Sequence, residues 1–128
     1  MSRRNILVYI ASPYSQGHQA NNVRTQLMLW DALFDNGVSP VAPLWTHYQH
    51  IFTPRSYEEW TAYDNAIIDR CDACYRSGSS CPITGYKQYD SDGADLEVRR
   101  FVDAGKPVFY TFPAFREWLK VKDDELKS

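Results

Sequence analysis

Two carboxylates stand where helical spacing turns them toward the protein interior. Residues 85–97 read Gly-Tyr-Lys-Gln-Tyr-Asp-Ser-Asp-Gly-Ala-Asp-Leu-Glu and open a helix that closes at Gly105. In that helix Glu97 shares a face with Ala94, Phe101 and Ala104, at the separations that put side chains next to one another. Residues 56–71 form a second helix, opened by the capping box Ser56 and Glu59. Its apolar stripe runs through Trp60, Ile67, Ile68 and Cys71, and Asp64 sits on that stripe. A carboxylate facing inward has to be paired, capped or functional, because burying its charge alone is costly. Two of them from two helices suit acid–base or covalent work on a small polar substrate. Alternatively each simply pairs with an arginine such as Arg70, Arg99 or Arg100. The pattern leaves both readings open.

The start of the Glu97 helix favours anions. Ser91 or Asp92 can cap its first turn, and Gly93 and Ala94 keep that turn small enough for a ligand to approach the backbone. The exposed N–H groups and the positive end of the helix dipole suit a phosphate there.

The elements that must hold these residues alternate. Residues 5–11 form a continuous β-branched apolar run, the mark of a central parallel strand buried on both faces. A polar loop follows at 12–17. Residues 19–35 show helical spacing through Val23, Leu27, Trp30 and Phe34, and Asn36-Gly37 ends that helix. The second strand, 38–42, contains Pro40 and so belongs at an edge. Residues 43–55 read as an aromatic loop, the third strand as 72–75, a further loop as 76–90, and the fourth strand as 107–111 with Val108 and Tyr110 alternating. Pro113 starts a last helix through Phe115, Trp118 and Leu119. This order predicts an α/β fold: a flavodoxin/Rossmann-like three-layer sandwich, with a mostly parallel sheet of four to five strands, in one domain over 1–128. Ligands in such folds bind beyond the carboxyl ends of the strands. The loop holding Ser12, Tyr14 and Ser15, the aromatic loop holding Trp45, His47 and His50, and the Ser91–Gly93 turn converge there.

Other signals are weaker. Cys71 and Cys74 straddle a helix end and a strand start, with Cys81 as the sole further thiol, so they read as buried structural cysteines rather than a zinc or redox site. His47 and His50 lack an obvious third metal ligand, so stacking, polar contact with an aromatic ligand, or loop packing fits them better. Ser12 and Ser15 beside Pro13 and Tyr14 suit contact with a phosphate or sugar. Asn21 and Asn22 are ordinary first-turn residues, one of which can reach back to that loop. The glycine patterns of triphosphate and dinucleotide sites are absent.

Composition sets the outer limits. The chain has 128 residues, 44% hydrophobic and 15% aromatic, enough for a true core. A net charge of −2 without a basic patch argues against a nucleic-acid duplex as partner. There is no apolar run long enough for a membrane span and no leader-like start. With three cysteines, an odd number, the expected compartment is the reducing cytoplasm.

Four pieces resemble the nucleoside 2-deoxyribosyltransferase-like superfamily, which includes the 2′-deoxynucleoside 5′-phosphate N-hydrolases. They are Val8-Tyr9-Ile10-Ala11-Ser12-Pro13-Tyr14-Ser15; Gly37-Val38-Ser39-Pro40-Val41-Ala42-Pro43; Asp64 with Asp69-Arg70-Cys71-Asp72-Ala73; and Ser91-Asp92-Gly93-Ala94-Asp95-Leu96-Glu97 with Ala104-Gly105-Lys106-Pro107-Val108. Together they span about residues 5–111. The resemblance implies that Glu97 is the nucleophile, that Asp64 assists protonation of the leaving base, and that Tyr9 touches the nucleophile. It implies that Ser91 binds a 5′-phosphate, that no cofactor or metal is needed, and that the site completes in a homo-oligomer. The partner is then a small nucleoside or nucleotide. The Ser-Pro-Tyr-Ser loop departs from the Gly/Arg-rich version of the better-known hydrolases, and 76–90 is longer than in them. Base, phosphate and acceptor therefore stay open. On this chemistry Glu97 is expected to stay ionised and Asp64 to have a raised pKa. A nucleotide or nucleotide-signal binding module on the same fold, without turnover, is the alternative.

Overall fold

The structure, a computed structural model, describes residues 3–14, 19–77 and 92–127. Its centre is a four-stranded, all-parallel sheet in the order β2-β1-β3-β4. The strands are β1 (Leu7–Ala11), β2 (Ser39–Val41), β3 (Ala73–Arg76) and β4 (Val108–Phe109). The helices are α1 (Gln19–Asp35), α2 (Thr46–Phe52), α3 (Tyr57–Ile68), α4 (Asp92–Asp103) and α5 (Phe112–Lys127). The flavodoxin/Rossmann-like three-layer class read from the sequence is the one observed.

Alternation along the strands builds the layers. Val8 and Ile10 of β1, with Ala73 and Tyr75 of β3, point to one face, where α1 and α5 cover them with Leu29, Leu33, Phe115 and Leu119. Tyr9, Ala11 and Cys74 point to the other, under Ile68 of α3 and Ala94 and Phe101 of α4. Pro40 lies in edge strand β2, as expected.

Several boundaries differ from the sequence reading. The stretch 43–55 is largely helical: a 3-10 turn over Pro43–Trp45 runs into α2. Pro43 supplies a preset φ for the first helical position, and Thr46 Oγ1 donates to the Pro43 carbonyl at 2.8 Å. Helix α3 ends at Ile68 rather than at residue 71. The third strand starts one residue later and reaches Arg76, because the Asp72 carboxylate accepts the Leu7 N–H at 2.8 Å and holds the strand entry. The last strand keeps only Val108 and Phe109; Phe109 is the buried residue, and Tyr110 is exposed as the chain turns into α5, which begins at Phe112. In α1 the residues buried against the sheet are Val23, Gln26, Leu29 and Leu33. Phe34 instead stacks on Trp30 near the surface at 4.8 Å. Gly37 and Gly105, which close α1 and α4, do adopt positive φ (94° and 72°).

Candidate active site

Helices α2, α3 and α4 and the end of β1 enclose an open cleft of about 920 Å³. Both singled-out carboxylates, Asp64 and Glu97, line it. Each arrives from a helix whose local sequence fixes its rotation. Ser56 and Glu59 form the capping box of α3, with the Glu59 N–H donating to Ser56 Oγ at 3.1 Å. Ala94 and Phe101, one turn to either side of Glu97, are buried against β1 and β3 and turn Glu97 inward. Ala104, placed on the same face by spacing, is exposed because α4 has already ended.

Glu97 is partly exposed along the cleft, but its carboxyl is enclosed. The buried Tyr9 hydroxyl donates to Glu97 Oε2. Burial pushes the Glu97 carboxyl up to about 8, with the Asp64 charge adding to the rise and the Tyr9 hydrogen bond and Arg76 opposing it. Glu97 therefore rests protonated at neutral pH, a correction to the expectation that it stays ionised: desolvation outweighs its favourable partners. Burial also raises Asp64, to about 6, in the expected direction. One Asp64 oxygen, Oδ1, is buried without a hydrogen-bond partner. The Tyr9 phenol is pushed far up by burial and by both carboxylates, so it keeps its proton and stays a donor.

The arginine pairings considered from the sequence do not form for Arg70 or Arg100. Arg70 donates to the Ala66 carbonyl at 2.6 Å, and Arg100 holds Asp69 through two bonds of 2.8 Å. Arg99 lines the cleft. A different cation lies on the sheet face that α4 covers. Arg76, at the carboxyl end of β3, is buried and reaches Asp95 of α4 at 3.4 Å.

Of the proposed contacts, Ser12, Tyr14 and Gly93 line the cleft. Trp45 does not: it is 56% exposed and tilts against Trp30, with ring centroids 6.4 Å apart. Ser15 and Ser91 lie outside the described residues, as does Cys81. Asn22 does reach back to the loop after β1, its Nδ2 donating to the Tyr14 carbonyl at 3.0 Å. His47 and His50 both line the cleft. His47 Nδ1 meets the Tyr14 hydroxyl at 2.7 Å. His50 Nδ1 accepts from Trp60 Nε1 at 2.9 Å and from the Arg55 N–H at 3.1 Å, which leaves its ring proton on Nε2. Among the described residues no group of three His, Cys, Asp or Glu could hold a metal ion. Cys71 and Cys74 are free and buried, and burial pushes both thiols up, Cys71 to about 11. They are packing residues, not nucleophiles.

Gln26 escaped the sequence reading. It is fully buried, and its Nε2 donates to the Ile10 carbonyl at 3.1 Å and to Ser12 Oγ at 2.8 Å. Its Oε1 accepts the Leu44 N–H at 2.8 Å. One amide thus ties the loop after β1 to the chain after β2. The available signal was its place in the stripe Val23, Gln26, Leu29, Leu33, the same pattern that marked Asp64.

No protein-family model matches the chain, and no curated protein matches it closely.

Proposed function

We propose that this cleft cleaves or exchanges the N-glycosidic bond of a nucleoside or nucleoside 5′-monophosphate through Glu97. The observation that carries the reading is one cleft lined by two enclosed carboxyls from different helices, with Tyr9 donating to one and the other holding an unpartnered oxygen. The Glu97 carboxylate attacks the anomeric carbon and the C–N bond breaks with its electron pair passing to the base. Asp64 delivers a proton to that base. Water or a second base then attacks the same carbon as the ester bond to Glu97 breaks, its electron pair returns to the Glu97 carboxylate, and the attacking group's proton passes to the Asp64 carboxylate. Positive charge on the sugar favours an adjacent carboxylate, which is the logic of two-carboxylate glycoside cleavage. The pair loses its first proton near pH 6 and its second near 8, so between them it holds one proton. The productive arrangement of that proton is on Asp64, and a developing cation beside Glu97 favours it.

His47, His50 and Trp60 give the cleft an aromatic wall suited to a flat heterocycle. A second copy of the chain completing the cleft is part of this reading. The raised Glu97 also favours a second reading, a binding module in which a neutral carboxyl donates to a ligand without turnover.

Incubation with ribo- and deoxyribonucleosides and their 5′-monophosphates, with and without acceptor base, separates these readings. Base released by the wild type and lost in Glu97→Gln is the result expected. Binding without release across the panel overturns the glycosidase reading in favour of the second.

A further inference from the structure

Arg76 carries a charge in a place where the described residues supply too little to balance it. It ends β3 opposite Ala11, two residues beyond Cys74, which pairs with Tyr9. Alternation puts Arg76 on the same sheet face as Tyr9 and Cys74, the face that α4 covers. Arg76 is only 7% exposed. One guanidinium nitrogen donates to the Ser77 carbonyl, which is neutral, and Nε is buried with no partner. Its carboxylate contact among the described residues is the 3.4 Å approach of Asp95, whose side chain is 66% exposed and screened by water. A buried guanidinium so poorly matched calls for an enclosed anion.

Among the described residues, Tyr9 of β1 bonds Glu97, Cys74 and Arg76 of β3 lie on the sheet face that α4 covers, and Asp64, His47, His50, Arg55, Arg99 and Arg100 line the same open cleft. Tyr9 and Cys74 hold their protons, and Asp64 is of like charge. Among the described residues Arg76 is the one buried lysine or arginine, and it lies on the sheet face that the Glu97 helix covers.

We propose that Arg76 is the buried counter-charge of Glu97, a positioning residue that acts through that carboxylate and makes its ionised form attainable inside the protein. Ionising Glu97 gives the guanidinium the enclosed partner it lacks, so each charge lowers the cost of the other. The pairing rests on the shared sheet face, the burial of Arg76 and its unpartnered Nε; its purpose, a nucleophile ready to attack, rests on the glycosidase reading.

The test reads charge directly. In protein labelled with 13C at glutamate Cδ, the Glu97 resonance is assigned by its loss in Glu97→Gln and followed through a pH titration. Arg76→Met is expected to move its midpoint up by about one pH unit or more, the usual reach of a close opposite charge. Arg70→Met, at the exposed end of α3, is the control and leaves the midpoint where it was. Arg76→Gln gives the same upward shift while keeping donors in place, should the methionine variant fail to fold. Asp95→Asn, a surface change, moves the midpoint down by releasing Arg76 from its competing partner. An unmoved midpoint in a folded Arg76 variant, or a rise in Asp95→Asn, overturns the pairing. Protein that shows these shifts but releases no base from any nucleoside keeps the pairing and loses the glycosidase reading. Protein that releases base with a midpoint indifferent to Arg76 does the reverse.

Discussion

The two faces of the sheet are built from alternate residues of the same strands, and they differ sharply. On the α1/α5 face, Val8, Ile10 and Tyr75 meet Leu29, Leu33, Phe109 and Phe115, an apolar layer closed by ring contacts such as Phe109–Phe115 at 5.6 Å. On the α3/α4 face the packing residues are mostly small: Ala11, Cys71, Cys74 and Ala94 beside Tyr9 and Phe101. That face also holds the polar set, with Tyr9 bonded to Glu97 and Arg76 bonded to Asp95. Because successive strand residues point to opposite sides, a single strand can serve stability with Val8 and Ile10 and chemistry with Tyr9. One face holds the fold, and the other tolerates the cost of desolvated charge.

The division of labour is broken most severely at its two poles. Glu97→Gln removes the nucleophile while keeping shape, so base release should fall by about a thousandfold or more with the fold retained. Circular dichroism and a turnover assay on the same sample check both halves. A variant that keeps turnover would place the chemistry elsewhere in the cleft. At the other pole, Phe115→Ala opens a void under α5, where Phe115 is fully buried. It should cost about 3–5 kcal/mol in chemical denaturation, with turnover per folded molecule unchanged. Loss of turnover in the folded fraction would show that the faces are coupled rather than divided.

One residue belongs to both faces. Gln26 projects from α1, the helix of the apolar face, yet its amide holds Ser12 and Leu44 at the cleft. Gln26→Leu fits the apolar surroundings but strands the Ile10 carbonyl and the Leu44 N–H. The expected cost is about 1–3 kcal/mol of stability. Ligand affinity should fall with it, while the pH limbs stay in place because neither carboxyl is touched. Unchanged affinity would confine Gln26 to a structural role.

The layers and the two carboxylates were legible because they depend on periodicity. Val8-Tyr9-Ile10-Ala11 reads as a buried strand, and Asp64 and Glu97 stand on apolar stripes that helical spacing reveals. The capping box at Ser56 and the positive-φ closures at Gly37 and Gly105 were legible for the same local reason. What escaped depends on distant contacts. The helicity of 46–52 carries no buried residue to give it a stripe. Arg76 becomes notable only when α4 is laid over β3. The charge state of Glu97 is not legible from its helix position, because it depends on the burial that distant elements create around its carboxyl.

The smallest expected effect bears on that enclosure. A carboxyl whose folded pKa is raised stabilises the fold fully below its unfolded pKa, and that contribution is lost as pH rises through the folded pKa. For Glu97 the window runs from about 4.5 to about 8, and for Asp64 from about 3.8 to about 6. Glutamine at 97 has no charge to bury, so the melting temperature of Glu97→Gln should gain on that of the wild type between about pH 4.5 and 8 and level off above that. Asp64→Asn should gain too, but its gain should be complete near pH 6. In turnover the same two ionisations appear as the limbs of a bell, near 6 and near 8, which belong to the pair rather than to either residue. The melting difference and the bell must agree, because both read the cost of placing charge on the α3/α4 face. A flat melting difference would mean that water reaches Glu97 freely, and the contrast between the two faces would then be one of packing alone.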